Sequence, residues 1–253
     1  MIFCISFFIF LYGIIIGSFF NVCIHRLPIN ESVITPRSHC TNCKTLLSGF
    51  DLVPIMSYIL LGGKCRYCHI PFSIQYLIVE LLTGIIFLLL YFQYGLGFLY
   101  IFFIGITSIL ICITFIDYNC KIIPDRLIFL VFLLGLLYRL VLYTLIKEKS
   151  IVTNGILGFL LGGGIFLILA IISNGGMGGG DIKLIAMLGI CFGWKDIVVI
   201  SFLSFIVGGI ISVFLLIFKI KSLKDPIPFA PFISFGTLIL ILYKDFIIKL
   251  LMI

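Results

Sequence analysis

The sequence predicts an all-α polytopic membrane protein of about eight transmembrane helices, and three observations carry that expectation. Hydrophobic residues fill 62% of the 253 positions and charged ones only 11%, too few to keep the surface of a soluble domain this size in solution. Mean hydropathy is +1.35, and apolar runs of roughly 20 residues, the length that crosses a bilayer, recur along the chain. A single polar stretch, residues 25–72, is large enough to fold by itself.

The first run covers 3–24. It lacks a basic leading region and is followed at once by His25 and Arg26, which argues against a cleaved secretory signal. Beyond the polar stretch, runs lie near 74–92, 98–116, 127–145, 155–173, 184–194, 197–218 and 230–248. The sixth of the eight is too short to cross as an ordinary straight helix. The expected organisation is therefore a first helix at 1–24, a polar loop domain at 25–72 and a membrane core at 73–253. With the N-terminus outside, eleven Lys and Arg fall in inner loops and five in outer ones, while Arg139 lies within a span. Basic residues favour the cytoplasmic side, so both ends are expected outside and the polar loop inside. The net charge of +7 belongs to those loops. It does not mark a nucleic-acid surface, because no basic patch is interleaved with exposed aromatics.

Only ten acids occur, and two have unusual settings. Asp117, in TFIDYNCKIIPD, lies where the third run meets the inner face. Asp181, in GMGGGDIKL, lies at the same face where the fifth run gives way to the sixth. An acid near hydrocarbon costs ~3 kcal/mol on insertion scales, so each needs compensation or a task. They could simply pair with Lys121, Lys183 or lipid phosphates. The alternative is hydrolysis, in which one carboxylate activates water and one carboxylic acid protonates the substrate. At ~4 Å and an effective dielectric near 20, two carboxylates repel by about 4 kcal/mol, or roughly 3 pK units, and so hold one proton between them. Gly178 and Gly180 then have a purpose, since backbone without side chains can bend and admit an extended peptide beside the acid.

The polar loop carries CTNC at 40–43 and CRYC at 65–68. Two C-x2-C pairs separated by 21 residues form a structural zinc pattern, with Cys40, Cys43, Cys65 and Cys68 as tetrahedral ligands. Two disulfides are the competing possibility, disfavoured in a reducing cytoplasm. His39 and His69 flank the pairs and are read as surface residues. The other five cysteines lack such spacing and read as small apolar residues.

Six segments in order now bear a resemblance: GSFFNVCIHRLP at 17–28, the two cysteine pairs, FSIQYLIVELLTG at 72–84, FIDYNCKIIPD at 115–125, GMGGGDIKL at 176–184 and PFAPFISFG at 228–236. From end to end the chain resembles the type IV prepilin peptidases, membrane aspartic proteases of the GxGD class. The resemblance implies an enzyme of the bacterial cytoplasmic (inner) membrane. It would remove short basic leader peptides from type IV prepilins or pseudopilins at the cytoplasmic face, cutting after a glycine. Many members also N-methylate the new terminus with S-adenosylmethionine. By motif the catalytic pair is Asp117 and Asp181, the leading aspartate of D-x6-PD and that of GxGD. Which of them is the base is not assigned, because such a pair titrates as a unit.

Asp125 is a rival for the first role, although its place after Pro124 suits a helix-start residue. Glu80, within the second span, is either a hydrogen-bonded neutral acid or a functional one. Lys183 and Arg26 balance the acids or bind headgroups. The chain departs from the family pattern at CTNC, at QYLIVE and at PFAPF, but no ligand or catalytic acid is lost. The methyl-donor motif of a glycine-rich strand-to-helix turn is absent from 25–72, so methylation rests on resemblance alone.

Two other classes are weighed. A transporter with intramembrane carboxylates needs acids near the midplane and repeated halves, neither of which is evident. A zinc-dependent assembly scaffold explains the cysteines but leaves GMGGGDIKL without a purpose. A presenilin-like protease shares the GxGD chemistry yet lacks the cysteine loop and the IHRLP segment.

Overall fold

The computed structural model describes residues 2–173, 175–222 and 225–251, and the described residues are helical with two isolated β-bridges in the polar loop. The helices are α1 (Ile2–Arg26), α2 (Met56–Leu60), α3 (Gln75–Tyr94), α4 (Phe98–Cys120), α5 (Asp125–Ile146), α6 (Ser150–Ile172), α7 (Gly179–Phe192), α8 (Trp194–Ile217) and α9 (Ala230–Leu251). Each of the eight apolar runs coincides with one of the long helices or with α7. Six are long and apolar enough to cross a membrane, while the apolar part of α9, Ala230–Lys244, is shorter. Large apolar side chains such as Phe3, Ile101, Leu145 and Ile172 are exposed, whereas Asn21, Glu80, Asp117, Arg139, Asp181 and Thr237 are buried. That inversion suits a lipid surround, where polar groups must find partners inside the protein. Thr83, Ser201, Ser204 and Thr237 do so by donating to the carbonyl four residues earlier.

The chain divides into two compact units, residues 1–104 and 105–253. In the first, α1 and α3 run antiparallel through small residues. A Cβ on Gly13 would lie 2.7 Å from the Gly84 Cα, and one on Gly17 would lie 2.8 Å from the Glu80 Cα. Lipid gives helices no hydrophobic reason to associate, so close backbone approach supplies the contact. Asn21 at the end of α1 donates to the Tyr76 carbonyl at 3.0 Å.

In the second unit α7 is the central short helix. It packs antiparallel on α6 through Gly158, where a Cβ would stand only 2.2 Å from the Gly189 carbonyl oxygen. It runs parallel to α5, with Lys183 near Asp125 at one end and Arg139 near Ile190 at the other. A ring cluster of Phe166, Phe205, Phe229 and Phe232 joins α6, α8 and the start of α9.

Candidate active site

Asp117 lies one turn from the C-terminus of α4 and is buried. Its Oδ2 accepts the Ala230 N–H at 3.0 Å, and the Phe229 N–H also faces it. They belong to the first residue of α9 and the residue before it, have no partner inside the helix and lie at its positive end. Pro228 and Pro231 bracket the donors and mark the helix start. The buried carboxylate is thereby held by backbone N–H groups.

Asp181 occupies the third position of α7, one turn after the N-cap Gly178. The apolar part of the sixth run begins near 184. In the structure the helix already begins at Gly179, because the first turn tolerates glycine and an acid there complements the free N–H groups. The Gly178 N–H faces the carboxylate, and a Cβ at Gly178 would stand 3.1 Å from its Oδ2. Oδ1 is buried without a hydrogen-bond partner among the described residues. The Asp181 carboxyl lies within reach of the charge of Asp117, which brings acids of two helices distant in sequence to one end of this unit. A side chain at Gly180 would meet Ile123 at 3.0 Å.

Asp125 opens α5 immediately after Pro124, and its Oδ1 accepts from Lys183 Nζ at 2.7 Å. Both partners are largely exposed, so this pair contributes little energy. Glu80 is buried on α3, where its Oε2 accepts the Ile55 N–H at 2.8 Å and ties the polar loop to that helix.

The polar loop brings Cys40, Cys43, Cys65 and Cys68 together, with all four sulfurs within 4.8 Å of one another. Each pair sits on a tight turn: the Lys44 N–H donates to the Cys40 carbonyl, and the His69 N–H donates to the Cys65 carbonyl. Thr45 hydrogen bonds hold the Cys43 thiol down at about 6, against burial. The Ile70 N–H draws Cys68 down as well, but burial and the three neighbouring sulfurs push it up to about 11. A compact four-sulfur set fits a tetrahedral zinc ion. Neither His39 nor His69 belongs to the cluster. Beside it lies a cavity of about 430 Å³, lined in part by Arg26, Glu31, Tyr58, Phe72, Tyr76 and Glu80.

The donors to Asp117 were not foreseen from sequence. PFAPF signals a helix start, but nothing local says which acid meets it.

Fold and site together define a multi-pass membrane protein with two buried carboxylates at one end of its helices and a zinc-competent Cys4 loop. A family model described as the bacterial peptidase A24 N-terminal domain matches residues 11–94, and one described as the type IV leader peptidase family matches 104–213. A prepilin leader peptidase/N-methyltransferase of Bacillus subtilis (strain 168) is 32% identical over 241 residues, covering 95% of each chain. The protein of the same name from Aeromonas hydrophila is 30% identical over 266 residues, covering 95% of this chain and 91% of its own. That of Neisseria gonorrhoeae is 31% identical over 235 residues, covering 82% and 81%. No solved structure matches. The chain belongs to the type IV leader peptidase family.

Proposed function

We propose that this protein cleaves the short basic leader from type IV prepilins or pseudopilins at the cytoplasmic face of the bacterial inner membrane, using Asp117 and Asp181. The observation that carries this reading is the burial of two acids on different helices, near enough for the charge of one to reach the other, with one oxygen of Asp181 lacking a hydrogen-bond partner among the described residues. The pair shares one proton. Its ionised member takes a proton from water as the oxygen attacks the scissile carbonyl. Its protonated member gives a proton to the substrate, and the tetrahedral species then breaks its C–N bond with a proton passing to the leaving amine. Gly178 puts no side chain beside the Asp181 carboxyl and Gly179 borders open space, as an extended peptide requires.

Purified protein in detergent is expected to cut a leader-bearing substrate without added metal. Absence of cleavage with intact, folded enzyme and substrate overturns the reading. With S-adenosylmethionine present, the released product gains one methyl on its new N-terminus. The cavity under the cysteine loop supports that second step, since Tyr58, Phe72 and Tyr76 offer aromatic walls for an adenine and Glu31 and Glu80 offer acceptors for polar groups. A product of unchanged mass would leave a peptidase alone.

The Cys4 cluster holds zinc as a structural ion, closing a loop that has little core of its own. Metal analysis is expected to give one zinc per wild-type chain and none for the double variant Cys40→Ser, Cys65→Ser. Chelation should also open the loop to limited proteolysis. Equal zinc in both proteins removes the assignment.

A further inference from the structure

At the far end of α7 from Asp181 sits a buried guanidinium. Arg139, on α5, is 9% exposed and is the one buried cation among the described residues of its unit. A cation within a span costs ~2.5–3.5 kcal/mol on insertion scales, so its retention calls for a reason. Its Nε donates to the Ile190 carbonyl at 2.7 Å and its Nη1 to the Ile151 carbonyl at 3.4 Å. Nη2 is buried without a hydrogen-bond partner among the described residues. The guanidinium thus rests on the last turn of α7, where carbonyls lack helical partners and the helix is negative. Tyr138, Cys191 and Asp196 also face its charge. On the other side, Asn154 Oδ1 accepts the Trp194 N–H at 3.0 Å. Between them Gly193, at φ +89, turns the chain into α8, and a Cβ there would lie 2.6 Å from Asn154 Oδ1.

This node matters because of the length of α7. Its 14 residues span about 21 Å, against a hydrocarbon core of ~30 Å, so apolar matching does not set its depth. Glycine contacts with α6 permit close approach but offer few side chains to resist sliding. Polar tethers add to the packing of Leu184, Ile185 and Leu188 in fixing the axial position. The one at the Asp181 end, Lys183 with Asp125, is exposed and weak. The one at the other end is buried.

We infer that Arg139 is a positioning residue for Asp181: by gripping the C-terminal turn of α7 it sets the depth and rotation of that helix, and so the spacing of the two carboxyls. The inference rests on the aspartate-pair reading. Ile190 is nine residues from Asp181, about 14 Å along the helix, so Arg139 acts without touching substrate.

The test compares Arg139→Met, Arg139→Lys and Asp181→Asn with wild type. The Met variant should lower kcat by about 10–100-fold with KM within about twofold, in line with an ångström-scale misplacement of a reacting group. Its pH–kcat profile should shift, because the carboxyl spacing has changed, and Lys should restore part of the rate. Hydrogen exchange in the last two turns of α7 should quicken in the Met variant. That readout stands even if Asp181→Asn still cleaves, a result that would discard the aspartate pair rather than the tether. Should the Met protein not fold, the Lys variant carries both measurements. Wild-type kcat with unchanged α7 exchange overturns the inference, as does a loss of rate that only tracks loss of folded protein.

Discussion

Asp117→Asn and Asp181→Asn are each expected to lower leader cleavage by at least ~10³-fold while the protein remains folded. Asparagine keeps the size of aspartate and removes the titrating proton. At position 117 the amide oxygen can still accept the Ala230 N–H, so the start of α9 retains its contact. At position 181 the side chain remains at the third position of α7, facing Gly178. Folding should therefore be nearly untouched, and the loss should lie in kcat. On the proposed reading the two acids act as one catalytic unit, so the double variant should be little worse than either single one. Asp125→Asn is the control: it weakens an exposed ion pair with Lys183, worth ~0–1 kcal/mol, and cleavage should stay within a few-fold of wild type. Product appearance measured by mass, alongside circular dichroism and monodispersity, decides the matter. A single variant at 117 or 181 that keeps more than about a tenth of the wild-type rate removes hydrolysis by the pair.

Much of this architecture can be read from the chain because the signals are local. Apolar run length specifies α1 and α3 to α9, and the C-x2-C spacing specifies a sulfur cluster. The apolar run undershoots the start of α7 for an equally local reason: three glycines look like a break, yet at a helix start glycine costs little and the acid at the third position is stabilising. The features beyond reach are relational. Asp117 finds Ala230 across 113 residues, and Arg139 finds Ile190 across 51. Arg139 could be recognised as a cation inside a span, but no periodicity names the helix terminus it serves. Glu80 is similar, since its partner is the backbone of Ile55 in an irregular loop.

A single methyl at Gly189 is expected to disrupt the second unit more than the loss of any surface charge. A Cβ there would fall 2.1 Å from the Gly158 oxygen and 2.4 Å from its carbonyl carbon, both backbone atoms that no rotamer change can move aside. α6 and α7 would have to separate, and Gly162 would lose its close approach to the Ile185 carbonyl. Overpacking of this kind costs roughly 1–3 kcal/mol in soluble cores. In a bilayer the displaced surfaces lose van der Waals contact that lipid does not restore with equal specificity, so the interface has no hydrophobic reserve to hold it closed. Gly189→Ala should therefore lower Tm in detergent by several degrees and cut cleavage at least about tenfold, because Asp181 travels with α7. Gly209→Ala on α8 is the matched control. Its Cβ meets nothing within 4 Å, and alanine is the better helix former by ~1 kcal/mol, so Tm should hold or rise. Equal Tm and equal rates for the two variants would mean that close glycine packing does not hold α7. Divergence between them shows that the contact between α6 and α7 helps to seat Asp181 alongside the Arg139 tether, since both variants add the same methyl group to a membrane helix.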